Sequence, residues 1–135
     1  MIYLYFWLVS SWCSAAETPV NIKNIQSAKG QVMVAVYASG DGFLSIDKAV
    51  FKQNYALKNK GEIAVQVPAL KEGFYAVSCF HDVNGNGVLD KNMFGVPTEP
   101  YGFSQGARPK FRAPTWEETK IWSKGQPIEI WLEKW

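Results

Sequence analysis

The sequence predicts an all-β fold, a single antiparallel β-sandwich with at most one short helix. Short segments repeat apolar residues with a period of two, as in residues 31–37, where Val32, Val34 and Val36 fall on one face. Gly- and Pro-rich turns separate these segments, and no apolar pattern of helical period is sustained. The chain has 135 residues, a length that suits one domain.

The first part of the domain is the least regular. Residues 17–29 are polar with scattered Ile and Val, which predicts a loose leader or an edge strand over residues 20–25. The mixed composition of residues 45–49 predicts a loop or a short helical turn, followed by a short strand near residues 50–52. The β-sandwich domain is therefore expected to span residues 30–135.

Three later segments have strand patterns. Residues 61–67 alternate, with Ile63 and Val65 directed inward. Residues 74–81 are apolar on both faces, which predicts a central strand that is covered on both sides. Residues 128–133 alternate again and predict the last strand.

A long segment, residues 91–112, follows the predicted central strand. It is rich in Gly and Pro, but its aromatic residues argue against disorder. Thr115 and Glu118 have the spacing of a capping box, so a short helix running to Trp122 is expected. Aromatic rings offer a large contact area to a sugar or a peptide, although in small β domains they more often cover the core. The candidate ligand-binding residues are Tyr101, Phe103 and Trp116.

The first residues of the chain predict export. Residues 1–16 carry no charge, and their apolar run of about a dozen residues is shorter than the roughly 20 that a membrane span needs. Ser14 and Ala16 are the small residues of a signal-peptidase site, so we expect a mature chain without a transmembrane span in the periplasm, the outer envelope or the medium. The competing hypothesis is a lipid anchor at Cys13, which the bulky Trp12 disfavours.

The charge and the cysteine content of the chain argue against a nucleic-acid partner and against a disulfide bond. The net charge is +2 and Lys and Arg form no cluster, which argues against a nucleic-acid partner. Of the two cysteines only Cys79 remains after cleavage, so no intramolecular disulfide is expected. An exported domain without a disulfide needs another source of rigidity, and a bound ion is one.

Residues 81–90, His-Asp-Val-Asn-Gly-Asn-Gly-Val-Leu-Asp, carry the clearest chemical motif. On the calcium-loop template, Asp82 takes position one and Asp90 takes position nine. Position twelve, which needs a bidentate Glu, is Met93, and Glu99 replaces that carboxylate if the next segment folds back. The predicted Ca²⁺ ligands are Asp82, Asn84, Asn86, Val88, Asp90 and Glu99.

Two interpretations of this loop remain open. Oxygen ligands favour calcium over zinc, and the low charge of the set predicts weak binding, with a Kd of about 10⁻⁴ to 10⁻³ M. Alternatively, Asn-Gly pairs make ordinary turns, because both residues tolerate left-handed backbone angles. The loop is then a metal-free connection.

Two stretches carry a family resemblance. Residues 73–90, GFYAVSCFHDVNGNGVLD, and residues 94–104, FGVPTEPYGFS, resemble the bacterial DUF2141 family of small exported proteins. The resemblance extends from about residue 30 to the C terminus, with departures at Cys79 and Pro100. It implies export and a β-sandwich similar to transthyretin-like, immunoglobulin-like and carboxypeptidase-regulatory-like domains, and it implies no established activity.

The only histidine, His81, lies two residues after Cys79. Side chains at this spacing share a strand face but lie about 7 Å apart, too far for a nucleophile and its base. We therefore expect a non-enzymatic, calcium-stabilised exported module that binds a protein or a saccharide, or has a structural role, at the cell envelope. The alternative is a small periplasmic hydrolase that uses His81 with Asp82 or Glu99.

Overall fold

A computed structural model of the chain describes residues 17–135. The predicted signal segment and Cys13 lie outside these residues. The strands of the described part are β1 (Thr18–Ile25), β2 (Gln31–Tyr37), β3 (Phe51–Ala56), β4 (Gly61–Val67), β5 (Gly73–Asp82), β6 (Tyr101–Phe103), β7 (Ile121–Ser123) and β8 (Ile128–Trp131). The helices are α1 (Trp116–Thr119) and two 3₁₀ turns, Ile46–Lys48 and Ser104–Gly106.

These strands form two sheets, which confirms the predicted all-β sandwich. One sheet has the order β4-β1-β8, and the other has the order β3-β2-β5-β6, with β7 paired to the start of β5. All of these pairs are antiparallel except β1 with β8, which is parallel. None of the helices in residues 17–135 has the length and apolar character that crossing a bilayer requires.

The hydrophobic core lies between the two sheets. The residues of β2 that were predicted to face inward do so, since Val32 and Val36 are fully buried. In the three-stranded sheet, Val20 of β1 and Ile130 of β8 belong to the same apolar cluster. Burying one such side chain contributes about 1.5–3 kcal/mol, so this cluster is the main stabilising feature of the fold.

The prediction of a loose leader or an edge strand for residues 20–25 is wrong in its placement. Strand β1 lies in the centre of its sheet, between β4 and β8, and Val20 and Ile22 are fully buried. Pro19 lies near the start of β1, but the pairing with β8 covers only Val20 to Lys23. The proline therefore stands outside that ladder and removes no hydrogen bond from it.

The helix predicted from the capping box is present but short. Thr115 caps α1, and both reciprocal bonds with Glu118 are formed. The helix ends at Thr119 rather than at Trp122, because the next residues pair with β5 as strand β7. The ring of Trp122 packs at 4.8 Å from the ring of Phe74 across this pair. Strand pairing has overridden the local helical preference.

Strand β5 is central in its sheet, as predicted, but its two faces are not covered equally. The face that contains Val77 and Cys79 is buried in the core. On the opposite face Phe74 remains 48% exposed, and Phe80 is only partly buried. The predicted long loop contains strand β6, which pairs with β5 beside Phe80. The outer face of the five-stranded sheet is thus partly open.

Candidate metal loop and adjoining groove

The loop predicted to bind metal begins where β5 ends. Asp82, the last residue of β5, pairs with Gln31 and is fully buried. Gly30 packs directly on this exit: a Cβ added to it would lie 2.8 Å from the carbonyl oxygen of Val83. Its φ of +72° belongs to the left-handed region that favours glycine. The backbone around Gly30 therefore fixes where the loop starts.

The carboxylate of Asp82 organises the backbone of the loop. Its Oδ1 accepts from the N–H of Asn86 at 3.2 Å, and its Oδ2 accepts from the N–H of Gly87 at 2.7 Å and from Gln31 Nε2 at 3.0 Å. Burial raises the pKa of this carboxyl, but these hydrogen bonds, with one more from the backbone of Gly85, outweigh burial. They hold the pKa of Asp82 below its usual value, so the group is ionised at neutral pH.

Three further side chains of the loop meet at one point. Nδ2 of Asn84 donates to Oδ2 of Asp90 at 2.7 Å, and Nδ2 of Asn86 donates to Oδ1 of Asp90 at 2.8 Å. The amide oxygens accept backbone N–H groups two residues on, at 3.2 Å for Asn84 and 3.1 Å for Asn86. These are the bonds of Asx turns. The loop thus brings together Asn84, Asn86 and Asp90, which occupy positions three, five and nine of the calcium-loop template.

Glu99 returns to this loop from beyond the predicted template. It is 6% exposed, and its Oε1 and Oε2 accept the N–H groups of Val83 and Asp90, each at 3.1 Å. Thr98 adds to this connection, because its N–H and its hydroxyl both donate to the carbonyl oxygen of Asp90, at 2.8 and 3.1 Å. The segment after the loop therefore folds back, and the Glu99 carboxylate joins the two ends of the loop.

The donor set suits a hard cation better than zinc. The carboxylates of Asp82, Asp90 and Glu99 accept one or two hydrogen bonds per oxygen and keep further lone pairs. Residues 17–135 contain no group of three or more His, Cys, Asp or Glu side chains able to hold a metal by themselves, so a site here requires the oxygens of Asn84 and Asn86. Those amides have to turn from their present bonds to ligate an ion. Calcium binding stays a prediction.

His81 gives no support to the hydrolase alternative. The residue is 1% exposed and pairs with Val32, which belongs to the core. Its Nε2 donates to the carbonyl oxygen of Lys29 at 2.6 Å, and its Nδ1 is buried without a partner. A general base has to reach its substrate, and this ring is enclosed. Asp82 lies on the opposite strand face, and both oxygens of Glu99 hold backbone N–H groups.

Cys79 also lies in the core, as expected. It is 2% exposed and carries a free thiol. Desolvation by burial raises the pKa of this thiol well above its usual value. Cys79 is therefore a packing residue and not a nucleophile.

A groove of about 570 Å³ lies on the outer face of the five-stranded sheet. Its floor includes Met33 and Ala35 of β2 and Ser78 and Phe80 of β5, which face each other in the strand register. Residues from the segment 87–114, which includes strand β6, form the walls. The main apolar wall residues are Val88, Leu89, Phe94, Phe111 and Trp135.

Two of the three predicted ligand-binding residues belong to this groove. Tyr101 and Phe103 line it, with their ring centroids 5.9 Å apart. Trp116 does not line it; its ring packs 6.0 Å from that of Phe43 and closes the space beside Gly40. Trp116 therefore packs against its neighbours, whereas Tyr101, which is 9% exposed, and Phe103 form part of the groove lining. Ligand binding by these residues stays a prediction.

Sequence reasoning missed the residues that the sheet contributes. Met33 and Phe80 alternate with core residues, so strand periodicity identifies their face but not the fact that this face is left open. It also missed the basic residues Lys52, Lys91 and Arg112 on the walls. Arg112 is held by Glu118, with Nη2 and Oε1 at 2.6 Å. Hydrogen bonding to Arg112 lowers the pKa of Glu118 to about 2, with further help from the backbone of Thr115.

The loop that is predicted to bind metal forms part of this groove. Gly87, Val88 and Leu89, which lie between Asn86 and Asp90, all line it. Val88 is 58% exposed, so its side chain is available to a ligand. A change in the conformation of the loop therefore changes the shape of the groove.

A family model described as "Uncharacterized protein conserved in bacteria (DUF2141)" matches residues 20–130 of the chain. The matched region runs from β1 to β8 and includes the whole metal loop and the floor of the groove. No curated protein and no solved structure matches the chain.

Proposed function

This chain belongs to the bacterial DUF2141 family, and we propose that it is a non-enzymatic, exported binding module of the cell envelope that calcium stabilises. The ion is held by the oxygens of Asp82, Asn84, Asn86, Val88, Asp90 and Glu99. The ligand lies in the groove on the outer face of the five-stranded sheet.

The observation that carries the proposal is the position of Glu99. Its two carboxylate oxygens bind the N–H groups of Val83 and Asp90, so it connects the segment after the loop to the exit of β5. Residues 87–89 and the segment that follows are also groove walls. An ion at this point would hold the groove in one shape, because it would add a bond between the same elements.

A binding role agrees better with the groove than a catalytic role does. The groove-lining residues of the described part include no His, Asp or Glu, and the thiol of Cys79 is buried. General acid–base catalysis most often uses His, Asp or Glu within hydrogen-bond reach of the substrate. The lysines that line the groove, Lys52 and Lys91, are exposed, whereas a catalytic lysine is usually activated by burial. Aromatic and aliphatic side chains around few polar groups are typical of ligand-binding pockets.

Export is tested by the mass of the mature protein. Expressed from its full sequence in a bacterium, the protein is expected in the soluble envelope fraction with Glu17 as its first residue. The matched variant is Cys13→Ser, which removes the only lipidation site of residues 1–16 and leaves Ser14 and Ala16 intact. Cleavage after Ala16 predicts the same fractionation for both proteins. Membrane attachment of the wild type that is lost in Cys13→Ser would establish the lipid anchor instead.

Calcium is expected to raise the free energy of unfolding. At free calcium a hundred times Kd the gain is about 2.7 kcal/mol, and for a Kd of about 10⁻⁴ M this means about 10 mM calcium. The measurement is urea unfolding in calcium and in EDTA, with magnesium at equal ionic strength as the ion control. Superimposable curves in calcium and EDTA would remove calcium from the proposal.

Asp90→Asn is the variant that assigns the site. It removes the negative charge of the carboxylate at which Asn84 and Asn86 meet. We therefore expect most of the calcium response to disappear. Asp90 suits this test better than Asp82, because Asp82 also holds Gln31 and the backbone of the loop. Asp47→Asn is the matched control, since Asp47 is exposed in a 3₁₀ turn and takes no part in the hydrogen bonds of the loop. Equal calcium responses in the two variants would show that the ion binds elsewhere.

A further inference from the structure

We propose that the groove binds the anion of a fatty acid, with the acyl chain on the sheet and the carboxylate at the basic wall residues. The inference rests on the proposed function only in taking the module to be a binding one. It names the ligand class, which neither the family nor the proposed function supplies.

The apolar character of the groove is the first observation. Half of the large apolar side chains exposed in residues 17–135 line this one groove. They are Ile46, Val88, Phe94, Phe111 and Trp135. A concentration of exposed apolar surface at one place marks a binding site. The volume of about 570 Å³ is that of a small-molecule site.

Charge selects the head group of the ligand. The charged residues that line the groove in the described part are Lys52, Lys91 and Arg112, and all three are basic. Arg112 is paired with Glu118, but no ion pair within residues 17–135 involves Lys52 or Lys91. Both lysines are exposed, and they line the groove together with its apolar residues. An apolar chain with one anionic end is complementary to this arrangement.

Two other occupants fit less well. A saccharide needs many polar partners for its hydroxyl groups, yet the lining residues within 17–135 include no Asn, Gln, Asp or Glu side chain. A second copy of the chain, joined through a two-fold axis, would place the same patch against itself. The interface would then collect the basic lining residues of both copies, with no acidic lining residue in the described part to offset them, and like charges repel.

The test is calorimetric titration of the purified protein with soluble eight-carbon probes. Octanoate is expected to bind saturably, 1-octanol about tenfold more weakly, and octylammonium more weakly still, because two or three partly exposed charges supply the head-group preference. Lengthening the acid from hexanoate to decanoate is expected to raise affinity about fourfold per methylene, until the groove is filled.

Variants separate the head group from the chain. Lys91→Gln and Lys52→Gln are each expected to weaken octanoate binding about threefold and to leave 1-octanol binding unchanged, whereas Lys60→Gln, an exposed lysine outside the groove, changes neither. Phe94→Ser is expected to weaken both probes. Phe94 is 82% exposed, so this change leaves the core intact.

Several results would overturn the proposal. They are the absence of saturable octanoate binding, equal affinity for octanoate and 1-octanol, and a chain that dimerises through the groove in a way that Phe94→Ser abolishes. Binding to zwitterionic lipid vesicles without saturable octanoate binding would point to a membrane surface instead. Titrations in calcium and in EDTA keep the two proposals apart, because octanoate binding in EDTA without any calcium response retains the groove and removes the calcium clamp.

Discussion

Replacing Gly30 by alanine is expected to lower the free energy of unfolding by about 2–5 kcal/mol. The added Cβ would collide with the carbonyl oxygen of Asp82 and lie 2.8 Å from that of Val83. Both atoms are backbone, so they cannot move aside as a flexible side chain does. Overpacking of this kind costs about 1–3 kcal/mol or more, and the left-handed backbone at Gly30 adds about 1–2 kcal/mol for a residue with a Cβ.

The effect extends beyond one contact because this backbone supports several others. Lys29 accepts the hydrogen bond of the buried His81, and Gly30 accepts one from the N–H of Leu57. Moving residues 29 and 30 away from β5 therefore weakens the loop exit and the core edge together. We expect the variant to lose calcium response as well as stability.

Urea unfolding of Gly30→Ala beside Gly125→Ala provides the test. Gly125 also has a positive φ, of +89°, but a Cβ there meets nothing within 4 Å. Its replacement measures the backbone preference alone, about 1–2 kcal/mol. Equal losses in the two variants would show that glycine is required at position 30 only because of the positive φ. The close approach to β5 would then contribute nothing.

The strands that could be predicted are those whose pattern is local. Residues 31–37 and 61–67 carry Val or Ile at every second position of one face, and the sheet packs that face against the core. β1 has a comparable pattern in Val20 and Ile22, but its central position depends on parallel pairing with β8 at the other end of the chain. No local signal in the sequence carries that information. The polar residues around Val20 and Ile22 therefore made β1 resemble an edge strand.

The same distinction applies to the candidate site. Alternating Asp and Asn residues after an apolar strand predict the loop, and Glu99 could be named as the carboxylate that returns to it. The bonds of Glu99 to Val83 and Asp90 depend on the path of the segment between them. The open face of β2 and β5 was beyond prediction, because strand periodicity does not say which face the second sheet covers.

Loss of the Glu99 side chain in Glu99→Ala is expected to cost about 3–5 kcal/mol even without calcium. Two backbone N–H groups, of Val83 and Asp90, lose a charged acceptor at 3.1 Å. Hydrogen bonds to charged groups contribute about 1.5–3 kcal/mol each, and the donors are left in a partly buried site. Glu62→Ala is the matched control: Glu62 is exposed on β4, so a change within about 0.5 kcal/mol is expected.

Glu99→Gln then divides the backbone role from the metal role. The amide keeps one oxygen acceptor and loses the charge, so in EDTA we expect about half the loss of Glu99→Ala. In calcium, a ligating Glu99 predicts an additional loss close to the full calcium stabilisation, because the site has few charges to spare. If Glu99→Gln costs the same in calcium and in EDTA while the wild type responds to calcium, Glu99 joins the ends of the loop but does not bind the ion. The ion would then be bound by the other proposed ligands, which are Asp82, Asn84, Asn86, Val88 and Asp90.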